Sequence, residues 1–586
     1  MALHQIMMLL QAGRAAEAEA ACRKALAQRP KDVELLHCQA LALLKNGRAE
    51  AALRPLDKAL KERPDFAAAA NTKGVVLEKL GRPAEAVVAY GQVLALAPSA
   101  QVWFNLGNAC RRAGDDPGAL KAYEQAYRLD PGALRILSAL VGMKQRLCAW
   151  DELKELSRRL IEAMMGSAEV IEPFRALSLD VDEATLKTVA RRWSRRFPAN
   201  ASLPKALADK DHLTIGYLSA DFHNHATAYL MAEFFELHDR SRFRAIAYSL
   251  SPDDGGDMRR RLVAAFDGFV DCLGLDARGI AQRVAADGVD ILVDLKGFTR
   301  DAATAVMALR PAPVQVQWIG YPGTMGAPYI DYVLGDPVVL PETAQPFYDE
   351  AIVRLPGSYQ VNDRQRPCPQ TVPPRSEFGL PDNGLVLASF NDPYKLRPAE
   401  FAVWMRLLQQ VEGAVLWLYC RDSHAQDNLR RAARDHGVDP ARLVFAGKLG
   451  LSQHLARYLH VDLFLDTLPY NAHTTASDAL WMGCPVVTRL GGTFAGRVAA
   501  SLLCAVGLDR YVTHSPEEYE QTALRLLRDP AERTAIRRHI TDHRLGLRLF
   551  DTPRTTRAVE HAYTVMWDRA LAGLPPAPFA VEDPPG

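Results

Sequence analysis

Residues 461–490 read "VDLFLDTLPYNAHTTASDALWMGCPVVTRL". An apolar run, "VDLFLDT" (461–467), leads into a polar loop. A helix start follows at "ASDALWMG", and then a second short apolar run, "PVVTRL" (485–490). Strand, helix and strand in that order make a βαβ unit, which requires a parallel sheet with helices packed on it. The same rhythm precedes it in "LVLASFN" (385–391), "AVLWLYC" (414–420) and "RLVFAG" (442–447). Further upstream it runs through "LTIGYLS" (213–219), "FRAIAYSL" (243–250), "VDILVDL" (289–295), "VQVQWIGY" (314–321), "IDYVLGD" (330–336) and "AIVRLP" (351–356). The proline-rich segment "RPCPQTVPPRSEFGLPDNG" (366–384) separates the two series. The expectation is two doubly wound α/β units in tandem, with ligand loops at the carboxyl ends of their strands facing a cleft.

The first quarter has another period. Glycine recurs at Gly13, Gly47, Gly81 and Gly114, and proline at Pro30, Pro64, Pro98 and Pro131, both in steps of 34, 34 and 33. Each unit reads as two helices, with the glycine at the turn and the proline closing the unit. Trp103, Leu106, Gly107, Ala119, Tyr123, Ala126 and Pro131 fall at tetratricopeptide spacing. Such repeats stack into a superhelix whose concave surface binds extended chains. Helical patterning without the repeat text continues to about residue 198 and is expected to cap the array. "PANASLPKALADKDH" (198–212) reads as a linker, and "GLPPAPFAVEDPPG" (573–586) as a disordered tail.

The chain has 586 residues, 70 Lys+Arg against 69 Asp+Glu, and nine scattered cysteines with no C-x-x-C. The balanced charge argues against a nucleic-acid partner. The cysteines suggest neither a zinc ribbon nor a disulfide framework, and reduced thiols point to a cytoplasmic protein. No signal-peptide pattern or membrane-length apolar run is seen. G-x-G-x-x-G, G-x-x-x-x-G-K-[ST], H-E-x-x-H and G-x-S-x-G are all missing, which disfavours dinucleotide, P-loop, zincin and α/β-hydrolase chemistry.

Candidate chemistry sits at strand ends. After 461–467 come His473, Thr474, Thr475 and Asp478; Thr475 and Asp478 fit a capping box. Read that way they are only a helix cap, yet a helix start with hydroxyls and a histidine also suits a phosphate. Asn391, Tyr394 and Lys395 follow 385–391, where a lysine can neutralise phosphate. Asp221, His223, Asn224 and His225 follow 213–219, where a histidine beside an acid suits proton transfer from a hydroxyl. "GYPGTMGAP" (320–328) offers glycines for close backbone approach.

The repeats together with "DFHNHATAYLM", "LRPAPVQVQWIGYPGTMGAPYIDY", "FNDPYKL" and "DTLPYNAHTTASDALWMGCPVVT" resemble the O-GlcNAc transferases and their bacterial homologues over nearly the whole chain. The resemblance implies an α/β GT-B glycosyltransferase, two Rossmann-like domains, preceded by an all-α tetratricopeptide superhelix. It divides the chain into repeats (1–135), capping helices and linker (136–205), an N-terminal catalytic domain (206–372), a nucleotide-sugar-binding domain with the terminal helices (373–572) and the tail (573–586). It implies an inverting, metal-independent transfer of N-acetylglucosamine from UDP-GlcNAc to protein Ser/Thr, with UDP as product, no cofactor, and protein or peptide acceptors held by the superhelix. Carried over, His473, Thr474 and Thr475 match the diphosphate loop, Asp478 a ribose contact and His454 a base-stacking histidine. Lys395, with Tyr394 beside it and Asn391 in the same loop, matches the lysine that stabilises the leaving group. His225 and Asp221 match a base or proton relay, and Gly320, Pro322 and Gly323 the loop beside the sugar. Leu451 replaces the family's ribose lysine, with Lys448 displaced from it. Asp392 stands where animal enzymes have glutamine, and Tyr470 replaces a smaller residue, so the sugar stays open. A SPINDLY-type O-fucosyltransferase using GDP-fucose, an inactive repeat scaffold, and a transferase with a dedicated non-protein or single-protein acceptor remain alternatives.

Overall fold

The computed structural model describes residues 2–197 and 207–583. The chain divides into two compact units, Met1–Leu147 with Asp151–Leu160, and Cys148–Trp150 with Ile161–Gly586. Most of the linker read at 198–212 lies outside the described residues.

The first unit is built from helix pairs: Ala2–Gln11 with Ala15–Gln28, Val33–Lys45 with Ala49–Glu62, Ala67–Lys79 with Pro83–Leu96, and Ala100–Ala113 with Asp116–Leu129. The repeat glycines close each pair at φ 74°, 77°, 71° and 83°, with open space where a side chain would go. Conformation, not crowding, selects glycine at these turns. Small residues let the helices approach. A Cβ on Gly74 or Gly107 would lie 2.5 Å from the ring of Tyr90 or Tyr123. Small and aliphatic residues such as Ala52, Leu56, Ala59 and Val76 fill the layer between successive pairs.

The second unit holds, among the described residues, two fully parallel sheets. The first contains β1 (Leu213–Ser219), β2 (Phe243–Ser249), β3 (Gly268–Asp271), β4 (Ile291–Asp294), β5 (Val314–Gln317), β6 (Tyr332–Gly335) and β7 (Ala351–Arg354). The second contains β8 (Val386–Ser389), β9 (Val415–Tyr419), β10 (Leu443–Ala446), β11 (Leu463–Leu465), β12 (Val486–Arg489) and β13 (Val512–Thr513). A final strand, β14 (Phe579–Ala580), returns to the first sheet. The orders are β14-β7-β6-β5-β4-β1-β2-β3 and β10-β9-β8-β11-β12-β13. Helices cover both faces, so every residue of β1, β4, β5, β6 and β8 is buried; β4, β6 and β8 read as largely apolar runs, while β5 also buries Gln315 and Gln317. In each sheet the strand order reverses beside the first strand, between β1 and β4 and between β8 and β11. Ligand crevices open at such switch points.

Three boundaries differ from the sequence reading. The helix Glu183–Ser194 belongs to the catalytic unit, where Ser194 Oγ donates to the Gly326 carbonyl at 2.8 Å and Lys187 Nζ to the Pro346 carbonyl at 2.8 Å. The helix Thr552–Leu571, assigned to the 373–572 domain, packs on the first sheet instead. There Glu560 meets His238 Nδ1 at 3.0 Å and the Asp239 amide at 2.8 Å, and the Tyr563 hydroxyl lies 3.2 Å from that of Tyr217. Buried polar groups on this helix find partners on the first domain, which fixes where it docks. The segment read as a disordered tail forms β14 on the edge of β7, and Arg554 Nη2 holds Asp583 at 2.6 Å. Residues 584–586 lie outside the described residues.

Candidate active site

Register builds the first half of the site. Leu218 of β1 pairs with Asp294 of β4, which sets the loop after β1 beside Lys296. Lys296 Nζ donates to both Asp221 oxygens, at 2.8 and 2.9 Å, and both side chains are buried. Thr227 Oγ1 adds a bond to Asp221 Oδ2 at 3.3 Å. His225 caps the helix Ala226–Glu236, its Nδ1 accepting the Thr227 amide at 3.2 Å and lying 3.5 Å from Asp221 Oδ2. Burial lowers the His225 pKa; Asp221 opposes this, while Lys296 and His223 add to it. The loop after β5 closes over this floor. A Cβ on Gly320 would lie 2.2 Å from the Leu295 carbonyl oxygen, so glycine is required for the crossing. Ile319 just before it is held at φ 67°, a conformation β-branched residues avoid. Pro322 is buried, and a Cβ on Gly323 would lie 3.1 Å from the Tyr321 ring.

The second half forms at the β8–β11 switch point. Ala388 pairs with Phe464, which brings the loops after both strands together. Asn391 Nδ2 donates to Thr467 Oγ1 at 3.1 Å, and its Oδ1 accepts the Thr475 hydroxyl at 2.9 Å. Lys395 Nζ donates to the Asn471 carbonyl at 2.7 Å and stands 3.8 Å from the centroid of the Tyr470 ring. Tyr470 also packs on His473 (4.9 Å), Phe174 (6.0 Å) and Tyr394 (6.1 Å between centroids). Burial pushes the Lys395 amine down to about 8 against the pull of Asp466 and Asp392. Asp466, buried, is raised to about 6. Burial, then the Lys395 charge, holds His473 well below its ordinary range. A neutral His473 donates from Nε2 to the Ala495 carbonyl at 3.2 Å.

The helix Thr474–Trp481 begins directly after His473, and no side chain caps its first turn. The capping box read at Thr475 and Asp478 is not formed. Thr475 turns to Asn391, and the Asp478 carboxylate is taken by the Arg366 guanidinium and by His454 Nε2 at 3.1 Å. A buried carboxylate gains more from a guanidinium than from a backbone amide. Burial pushes the Asp478 carboxyl up, but Arg366 and His454 outweigh it and hold it below its ordinary value. Arg457 donates to His454 Nδ1, which leaves the proton on Nε2 for Asp478. The free amides of the helix start, the Thr474 and Thr475 hydroxyls and Lys395 together make a pocket of positive potential suited to an anion.

The structure thus groups Asp221 with His225; Tyr394, Lys395 and His473 around Tyr470; Asn391 with Thr475; and His454 with Asp478. Sequence reasoning missed Lys296, Arg366, Arg457 and Phe174. Lys296 had a visible signal, since a lysine directly after "VDILVDL" is placed as Lys395 is after its own strand. Arg366 and Phe174 lie in segments whose local pattern says nothing of their partners.

Two Rossmann-like domains with an anion pocket at the second switch point and an ionisable triad at the first define a two-domain glycosyltransferase architecture. The chain belongs to glycosyl transferase family 41, whose profile matches residues 195–372 and 365–559. Tetratricopeptide repeat profiles match 21–54, 39–100 and 100–133. The probable UDP-N-acetylglucosamine–peptide N-acetylglucosaminyltransferase SEC of Arabidopsis thaliana is 33% identical over 75% of this chain and 47% of its own length. The UDP-N-acetylglucosamine–peptide N-acetylglucosaminyltransferase of Caenorhabditis elegans is 25% identical over 74% and 49%. The chain spans about half the length of these curated relatives. A solved mutant O-GlcNAc transferase of Thermobaculum terrenum superposes with a TM-score of 0.68 at 28% identity, covering 92% of this chain and 98% of that one. Among the described residues no helix is long and apolar enough to cross a membrane.

Proposed function

We propose that this chain is an inverting glycosyltransferase that moves N-acetylglucosamine from UDP-GlcNAc to Ser/Thr hydroxyls of proteins. The observation that carries the reading is the Lys395 amine held beside the uncapped start of the helix Thr474–Trp481, with Asn391 tying the two loops together. As the acceptor oxygen bonds to the anomeric carbon, the bond from that carbon to the diphosphate breaks. Negative charge grows on the leaving oxygen, and Lys395, Thr474, Thr475 and the helix amides stabilise it. An anion arriving at the lowered amine draws it fully to the ammonium form, so binding and charge stabilisation reinforce each other. Positive charge supplied by these groups lets the transfer run without a metal ion. His454 and Asp478 hold the nucleoside end. His225 and Asp221 act on the acceptor hydroxyl's proton, and the repeat unit holds an extended polypeptide.

The test is a panel of radiolabelled nucleotide-sugars with a mixed-protein acceptor, followed by identification of the sugar and the modified side chain. Binding of GDP with no binding of UDP would reassign the donor to the GDP-sugar class, as in the SPINDLY-type alternative. Nucleotide binding with neither transfer nor donor hydrolysis would leave an inactive scaffold.

A further inference from the structure

Lys296 is a buried cation at the end of β4. Its side chain is 7% exposed, that of its carboxylate partner Asp221 9%, and its ammonium reaches both oxygens of that partner. Its backbone is fixed as well. The Lys296 and Gly297 amides donate to Asp294 Oδ1 at 2.8 and 3.1 Å, and Gly320 is pressed against the Leu295 carbonyl. Next to this pair stands His225, with 42% of its side chain exposed. Its Nδ1 accepts the Thr227 amide, so the neutral ring carries its hydrogen on Nε2. If the ring takes up a proton, the new Nδ1–H faces Asp221 Oδ2 at 3.5 Å, with Lys296 just behind that carboxylate.

We propose that Lys296 is a positioning residue of the transfer site, which holds the Asp221 carboxylate turned toward β4 and thereby sets the charge of His225. The proposal rests on the transferase reading for its kinetic consequence, but not for its electrostatic one. The groups facing His225 are Asp221 and His223 on its own loop and Lys296 from the end of β4. Asp254 anchors the same loop through the Asn224 amide at 3.0 Å. Asp221 favours the imidazolium, and Lys296 and His223 disfavour it. With Lys296 present, Asp221 is shared, and the neutral Nε2–H ring persists at physiological pH. That leaves Nε2 as the nitrogen presented to a reactant.

The experiment titrates His225 by NMR in the full chain labelled with ¹³C-histidine, its signal identified by loss in His225→Gln. In Lys296→Met the cation is gone and Asp221 is freed for the imidazolium. The His225 midpoint is then expected to rise by about one pH unit. The turnover number at neutral pH is expected to fall about tenfold or more with little change in the donor KM, as for a lost proton-transfer geometry. Lys296→Arg should restore the midpoint and most of the rate. If Lys296→Met does not fold, Lys296→Gln, which keeps a donor to Asp221 without the charge, takes its place, and the His225 midpoint should again rise above the wild-type value. An unchanged His225 midpoint in Lys296→Met or Lys296→Gln overturns the proposal. So does a Lys296→Met enzyme with the wild-type rate at every pH. Failure of the wild type to transfer any sugar would count against the transferase reading alone, because the histidine titration needs no turnover.

Discussion

Replacing Lys395 by methionine should damage the reaction and stabilise the fold. In the proposed transfer the ammonium faces a phosphate oxygen gaining charge. A unit charge about 4 Å from another contributes roughly 4 kcal/mol at an effective dielectric constant of about 20. At about 1.4 kcal/mol per decade the loss is about a thousandfold in rate, at the upper end of what removing one preorganised donor costs. For the fold the sign reverses. Burial holds the Lys395 amine at about 8 rather than 10.5. The folded chain therefore binds fewer protons than the unfolded chain between those values. The cost of the buried charge is full below pH 8, roughly 3 kcal/mol, and fades as pH rises toward 10.5. Losing the Tyr470 ring contact and the bond to the Asn471 carbonyl offsets part of that, leaving a net gain of about 1–2 kcal/mol. The assay is product-nucleotide release at saturating donor from pH 6.5 to 9.5, with thermal unfolding of the catalytic unit in the same buffers. Wild-type kcat/KM should fall above about pH 8 as the free enzyme's amine loses its proton, and that limb should vanish in the variant. Near wild-type turnover in Lys395→Met would remove the side chain from the mechanism. A variant less stable at pH 7 but not at pH 10 would refute the buried-charge argument.

Three further outcomes are expected. Arg366→Met leaves the Asp478 carboxylate buried without its guanidinium and should cost about 3–5 kcal/mol in denaturant unfolding. Adding Asp478→Asn should recover most of it, and no recovery would mean that the pair is not the cause. Because Asp478 is held below its ordinary value, its contribution is present above pH 3.8 and lost as pH falls through the lower folded value, so Asp478→Asn should flatten the acid limb of the stability curve. Gly320→Ala places a methyl 2.2 Å from the Leu295 carbonyl oxygen and should destabilise by about 1–3 kcal/mol or more while lowering turnover, whereas a neutral variant would show that the loop can yield.

Much of this molecule was legible locally. The repeat helices came from the glycine and proline period, and the βαβ order from apolar runs at the right spacing. The loops after β1, β5, β8 and β11 came from polar residues at strand ends. The capping box at Thr475 and Asp478 failed because a local pattern cannot know that Arg366, more than a hundred residues away, competes for the carboxylate. The last helix and the tail were misassigned for the same reason. Glu560, Tyr563 and Asp583 have their partners on distant parts of the chain, and nothing in their neighbours names them.

The sequence by itself determined which segments are strands, which are helices, and that anion-binding and proton-handling residues stand at strand ends. Periodicity and turn chemistry act over a few residues, and a few residues suffice to read them. Only the tertiary structure decided which ends meet. Parallel pairing sets Leu218 against Asp294 and Ala388 against Phe464. Those registers bring Lys296 to Asp221 across 75 residues of sequence and Asn391 to Thr467 across 76. A pairing made over such a distance depends on the packing of the whole sheet. That is why the switch-point clusters, and the role assigned here to Lys296, belong to the fold and not to any one motif.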